Sequence, residues 1–262
     1  MGLLQPLSAK FKQKFDRVTD MEEKQTETKN PEKKVKKKKK TEITVKANKK
    51  GRHVMPLLNF IKAIIIPFYW LVKPFKLYGN KKVQDGPLIY VCNHYTMMDA
   101  VYPAVTTSEG IHYLAKKENF ETPGLGFLIR KVKGIAANRD GNDVRAILDC
   151  FKCLKNGEKL CIFPEGTRNK TGEEMLPFHH GAAAIAIKCK TPIVLVVIYK
   201  KPRYFRMTHV IVSEPIELTE YYGKKLTEEE LTAVDDSLRQ RMIEMRREHT
   251  EFLQSKKKKK TK

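Results

Sequence analysis

The chain has 262 residues, 41% of them hydrophobic, and a formal net charge of +22. That length suits one main domain with added segments and is enough for a substantial core. Residues 1–52 carry +10 and residues 256–262 carry +6, leaving only +6 for 53–255, so a uniformly polycationic fold is excluded.

The two tails contain the pure lysine runs Lys36–Lys40 and Lys256–Lys260. Like charges at that density repel and bury nothing, so both tails are expected to be disordered. They are either solvated solubility tails or attractors for an anionic membrane surface, where each lysine contributes ~1 kcal/mol. Lysine runs without interleaved aromatics read charge and not base sequence, so no specific nucleic acid is expected as a partner. The five cysteines, Cys92, Cys150, Cys153, Cys161 and Cys189, are an odd number in a chain with no secretory signal at its start. Reduced thiols facing the cytosol are the expectation. Cys150-x-x-Cys153 has no second pair at zinc-finger spacing and is read as helix packing.

In chain order, residues 1–52 form a Lys-rich segment with weak helical character over 3–18. Composition then changes sharply. Val54–Val72 is nearly all apolar, interrupted by Lys62, Pro56 and Pro67. Its 19 residues just meet the ~20 needed to span a bilayer. Pro67 would kink a helix there, and Lys62 is costly at mid-bilayer. Tyr69 and Trp70 suit an interface. We therefore expect residues 53–78 to be a membrane-anchoring helical segment lying half-buried in one leaflet. A full span and a buried soluble helix are the alternatives.

Residues 79–225 alternate strands with helices. Strands are expected at Pro87–Cys92, Ile111–Ala115, Lys159–Phe163, Pro192–Tyr199 and Thr208–Val212, and helices at Asp99–Thr106, Gly126–Lys133, Asn142–Lys155 and Gly181–Cys189. The Asn142–Lys155 segment places Val144, Ile147, Leu148, Phe151 and Leu154 on one face, and Gly157 ends it. This alternation indicates an α/β domain. A C-terminal helix over 226–254 and a Lys-rich tail over 255–262 complete the chain.

Two compact clusters carry chemistry. In Asn93-His94-Tyr95-Thr96-Met97-Met98-Asp99, His94 stands between a strand and a helix, a position where a scaffold fixes a reactive group facing a cleft. Asp99 can reach back to one ring nitrogen and leave the other as a base. Thr96-x-x-Asp99 also fits a helix capping box, and the two roles are compatible if different carboxylate oxygens serve them. The second cluster is Phe163-Pro164-Glu165-Gly166-Thr167-Arg168, a turn after an apolar strand. There Arg168 can fork onto phosphate and Gly166 lets backbone approach a ligand. Arg139, after Gly134-Ile135-Ala136-Ala137-Asn138, and Lys116, at a strand end, are ordinary surface cations if taken singly. His179 and His180 are adjacent and cannot share a helical face, so no metal is expected. No G-x-S-x-G elbow, P-loop or dinucleotide glycine pattern occurs. A base acting on the substrate's own nucleophile is the remaining route.

These clusters resemble the ordered blocks of the glycerolipid acyltransferases: Asn93-His94-x4-Asp99, Gly134 with Arg139, Phe163–Arg168, and Thr191-Pro192-Ile193-Val194. The likeness covers about residues 75–215, and Leu114-Ala115-Lys116-Lys117-Glu118 and Leu176–Gly181 share it. Within the family it is strongest toward enzymes that acylate 1-acylglycerol-3-phosphate to phosphatidic acid. The resemblance implies a mixed, largely parallel sheet flanked by helices. It implies His94 as general base, Asp99 as its orienting partner, and an acyl-CoA or acyl-carrier protein as co-substrate, with no resident cofactor. It further implies Arg139, Arg168 and Lys116 on the acceptor phosphate, Glu165, Gly166 and Thr167 shaping the acceptor pocket with Glu165 bonding a glycerol oxygen, and a location at the cytoplasmic face of the cell membrane. The second block here lacks the usual apolar-proline-apolar run and acid before Arg139. The fourth has Leu195 where a second proline is common, from which altered packing near the acyl site is expected. The same chemistry on glycerol-3-phosphate or another lysophospholipid, and a non-catalytic basic protein binding membrane or nucleic acid, are the alternatives.

Overall fold

The computed structural model describes residues 15–20, 56–131, 133–137, 144–179 and 181–260. Its elements are helix α1 (Pro56–Val72), strands β1 (Phe75–Gly79) and β2 (Leu88–Cys92), helix α2 (Val101–Ala104), strand β3 (Ile111–Lys116), helices α3 (Lys117–Glu121) and α4 (Leu125–Lys131), strand β4 (Ile135–Ala137), helix α5 (Val144–Lys155), strand β5 (Lys159–Ile162), helix α6 (Ala182–Cys189), strands β6 (Ile193–Ile198) and β7 (Thr208–Val212), and helix α7 (Glu228–Lys260). The seven strands form one sheet in the order β1-β7-β6-β2-β5-β3-β4. Every pairing is parallel except that of β6 with β7. The expected α/β class and the mixed, largely parallel sheet are therefore observed.

Strands β2, β5 and β6 are buried along their whole length, which is why they read as unbroken apolar runs with no alternation. Their residues still divide between two faces. Ile89, Val91, Leu160, Ile162, Leu195 and Val197 pack under α5, α6 and α7. Tyr90, Cys92, Cys161, Val194, Val196 and Ile198 pack on the other side with Tyr69 of α1 and Tyr102 of α2. Cys150 and Cys153 lie in the first of these cores, as packing residues do. Helix α5 ends at Gly157, whose φ of 80° suits glycine.

The structure differs from sequence expectation at both ends. Within the segment expected to be disordered, residues 15–20 are helical, and Phe15 and Val18 are buried. Phe15 meets Phe151 of α5 edge-on at 5.6 Å. The C-terminal lysines were also expected to be disordered, yet α7 continues to Lys260. Lysine is a good helix former, and cations at a helix C-terminus complement its dipole, which together outweigh mild like-charge repulsion on an exposed face. At its start α7 has a reciprocal capping box, with Thr227 N–H on Glu230 Oε2 at 2.6 Å and Glu230 N–H on Thr227 Oγ1 at 3.2 Å. The apolar segment forms α1, of 17 residues with Pro67 inside, and β1 follows it at the sheet edge. Among the described residues no helix is long and apolar enough to cross a membrane.

Helix α7 is joined to the sheet partly through His249, whose Nε2 lies 2.8 Å from Nδ1 of His209 on β7. Tyr78, Tyr199 and Phe252 surround the pair. Burial holds His209 below the ordinary histidine range, helped by Lys76, and burial and His209 do the same to His249. The unfolded chain therefore takes up protons near pH ~6.5 before the folded one does. The pair's contribution is full above that pH and is lost as pH falls below it. The slope of melting temperature between about pH 7 and about pH 5 should shrink when both histidines become phenylalanine; an unchanged slope would show that the pair does not titrate on unfolding.

Candidate active site

Three of the sequence clusters converge at one end of the sheet. His94 follows β2, Phe163–Arg168 follow β5, and Lys116 ends β3. These strands are parallel neighbours, so their carboxyl ends share an edge, the place where open α/β sheets bind ligands. Asn93 fixes this edge. Its side-chain amide donates to the Ile198 carbonyl at 3.1 Å and its oxygen accepts the Ile198 N–H at 2.7 Å, clamping β2 to the end of β6.

Past that clamp the chain turns so that His94 Nδ1 lies 3.1 Å from Asp99 Oδ2. The Asp99 side chain is 0% exposed and that of His94 is 19% exposed. The same Oδ2 accepts the backbone N–H of Tyr95 at 2.6 Å and of Thr96 at 2.7 Å. Oδ1 accepts the Thr96 hydroxyl at 2.7 Å. Capping and imidazole orientation therefore coexist, but through one shared oxygen, not the separate oxygens that compatibility was expected to require. With Nδ1 engaged as donor, Nε2 carries the lone pair, and among the described residues nothing bonds it. Phe163 stacks on the imidazole at 4.2 Å between centroids and shields one face.

Glu165 is 1% exposed. Its Oε1 accepts the His94 N–H at 2.8 Å and its Oε2 accepts the Leu176 N–H at 3.1 Å. Burial pushes the carboxyl above its ordinary range, and the two amide bonds oppose that rise. Each Glu165 oxygen thus holds one backbone N–H, and the side chain ties the His94 turn to the 163–168 turn. A second tie runs from the Asn169 N–H to the His94 carbonyl at 2.6 Å. Gly166 has φ 61°, and a Cβ there would stand 2.6 Å from Cδ2 of His179, so only glycine fits.

Thr167 and Arg168 are exposed at this edge, and among the described residues Arg168 makes no ion pair or hydrogen bond. Lys116 is half-buried and pairs in register with Ala137, the last residue of β4. Arg139 lies outside the described residues. The Thr191–Val194 block stands at the start of β6, whose other end meets Asn93. Leu195, where the block departs from the family pattern, lies within the strand, buried and in register with Val91 of β2.

Sequence reasoning missed the part played by α7. Arg246 Nη1 donates to the Tyr95 hydroxyl at 3.1 Å and to the Glu174 carbonyl. Arg239 donates to the carbonyls of Met175 at 2.6 Å and Leu176 at 3.0 Å. The lone signal for this was the placing of arginines among the helix's charges, which solvated arginines share. Ligand-type atoms of His112, Cys153 and Glu158 also gather within 4.8 Å of one another. There Glu158 is already paired with Lys133 at 2.9 Å and His112 at 3.0 Å, so a cation is in place without a metal. These residues line a cavity of about 640 Å³ along α5 and β4, and His94 is not part of its wall.

The geometry can be set beside known proteins. Residues 74–199 match the model of the acyltransferase family. The chain is 28% identical over 181 residues to the 1-acyl-sn-glycerol-3-phosphate acyltransferase of Bacillus subtilis, covering 65% of this chain and 87% of that one. It is 33% identical to the Helicobacter pylori enzyme of the same name, over 50% of this chain and 54% of the relative. With 1-acyl-sn-glycerol-3-phosphate acyltransferase beta of Homo sapiens it is 31% identical, spanning half (50%) of that relative. The solved structure of the 1-acyl-sn-glycerophosphate (LPA) acyltransferase PlsC from Thermotoga maritima aligns with a TM-score of 0.57 at 27% identity, over 72% of this chain and 78% of that one. A carboxylate-held histidine at the carboxyl ends of parallel strands lies within the residues that match the acyltransferase family.

Proposed function

We propose that the chain transfers an acyl group from an acyl thioester, either acyl-CoA or acyl-carrier protein, to the free hydroxyl of 1-acyl-sn-glycerol-3-phosphate, forming phosphatidic acid for phospholipid synthesis. The observation that carries this is the His94 imidazole, fixed through Nδ1 by Asp99 and with Nε2 unbonded among the described residues, on the same edge as the exposed Arg168. The names of the relatives supply the acceptor class.

In this mechanism Nε2 of His94 takes the proton of the acceptor hydroxyl as its oxygen attacks the thioester carbonyl. Asp99 stabilises the imidazolium that results. The tetrahedral intermediate collapses with loss of the thiolate, which takes the proton back from His94. No acyl-enzyme forms, and no resident cofactor is called for. Arg168, with Arg139 and Lys116, holds the dianionic phosphate through charge-assisted bonds. Gly166 and Thr167 line the acceptor side, and Glu165 keeps the two turns in register. Positioning the hydroxyl beside the base contributes much of the rate. The acceptor is a membrane lipid, so the enzyme works at the cytoplasmic face of the membrane. Helix α1, with Ile64, Phe68 and Leu71 exposed, lies in one leaflet without crossing it.

Three substitutions test these assignments. His94→Ala should abolish acyl transfer from either donor while circular dichroism stays unchanged, the loss being at least about 10²–10⁴-fold; normal turnover would refute the mechanism. Arg168→Ala should raise the KM for 1-acylglycerol-3-phosphate by roughly ten- to a hundredfold, since a charged hydrogen bond contributes about 1.5–3 kcal/mol, with the donor KM unchanged. Glu165→Gln turns an amide group toward a backbone N–H. It should lower kcat and reduce unfolding free energy by about 1–3 kcal/mol; a rise in acceptor KM alone would instead put Glu165 on the acceptor.

A further inference from the structure

We propose that residues 199–207, the connection from β6 to β7, are a lipid-inserting loop that joins α1 in seating the catalytic end of the sheet on an anionic bilayer. The loop reads Tyr199-Lys200-Lys201-Pro202-Arg203-Tyr204-Phe205-Arg206-Met207 and contains four cations and no acid. Tyr204, Phe205 and Met207 all face solvent, Phe205 at 76% exposure. Phe205 also has φ 54°, a left-handed conformation that bulky side chains avoid. An aromatic ring held out into water on strained backbone lacks any reason in packing, and such strain marks functional segments.

The loop and α1 form one surface. The Phe205 N–H donates to the carbonyl of Val72, the last residue of α1, at 2.8 Å. The Thr208 N–H donates to the Pro74 carbonyl at 2.8 Å, and Lys73 Nζ stands 4.5 Å from the centre of the Tyr204 ring. Phe68 and Leu71 of α1 are exposed as well. Strand topology places this surface. β6 ends at Ile198, where Asn93 clamps it beside His94. β7 runs antiparallel to β6, and β1 starts opposite Thr208. The loop and the α1–β1 junction therefore stand at the end of the sheet that carries His94.

Apolar side chains interspersed with cations fit the boundary of an anionic bilayer. The rings enter the acyl boundary while Lys200, Lys201, Arg203 and Arg206 meet the headgroups. The choice of lipid over an acidic protein rests on the proposed reaction, in which acceptor and product are both bilayer lipids that must reach His94 from the membrane.

The test uses the full chain with vesicles of phosphatidylglycerol mixed with phosphatidylcholine, and of phosphatidylcholine alone. Phe205→Ser should bind the mixed vesicles about tenfold more weakly, and the triple change Tyr204→Ser, Phe205→Ser, Met207→Ser about a hundredfold or more. Turnover of dispersed 1-acylglycerol-3-phosphate below its micelle concentration should be unchanged. Phe205→Trp in a Trp70→Phe background makes residue 205 the single tryptophan. Its emission should shift to the blue on vesicle addition and be quenched by brominated lipid. Unchanged vesicle affinity in the triple variant, or no shift at residue 205, overturns the proposal. Intact vesicle affinity with lost turnover on dispersed substrate also overturns it, and assigns the loop to the reaction site or to a protein partner. Vesicle binding needs no catalysis, so a chain that bound through this loop but acylated nothing would refute the proposed reaction and leave the loop standing.

Discussion

The site depends on one buried oxygen. Oδ2 of Asp99 collects the His94 ring and the backbone N–H groups of Tyr95 and Thr96. A carboxylate out of contact with water is tolerable only when donors surround it. Meeting that need folds residues 94–99 into a turn that fixes the imidazole at the sheet's edge. The constraint that stabilises the charge is thus the same one that selects the ring's orientation.

Around this turn the fold supplies successive ties, each using a polar group that burial obliges to find a partner. Asn93 joins β2 to β6, Glu165 joins the His94 turn to the segment after β5, and Arg239 and Arg246 join residues 174–176 to α7. The sheet sets the level of the site through parallel registry, and these ties set its lateral position. The site is a corner where four distant parts of the chain are bonded to one another.

What was legible in the sequence follows from this division. The blocks carrying His94 and Phe163–Arg168 could be read because each follows a buried strand, and their convergence follows from parallel pairing. The partners of Asn93 and Glu165 could not. Ile198 is 105 residues from Asn93, and His94 is 71 from Glu165, and no local pattern records such bonds. Strand β4 has three residues, too few for any periodicity to show. Phe15 and Val18 were hidden in a charged segment whose composition resembles that of a solvated tail. Nothing in the local pattern of residues 199–207 tells which of its side chains face solvent, since that depends on the backbone conformation at Phe205.

The arginine contacts of α7 have a consequence for where the functional unit ends. The family match stops at residue 199, yet Leu176, whose N–H holds one oxygen of Glu165, has its carbonyl held by Arg239 forty residues beyond that limit. A fragment trimmed to the matched region would keep every block that carries chemistry and lose the outer brace of the turn that positions them. The C-terminal helix is in that sense part of the catalytic apparatus, acting as its buttress without touching a reacting atom.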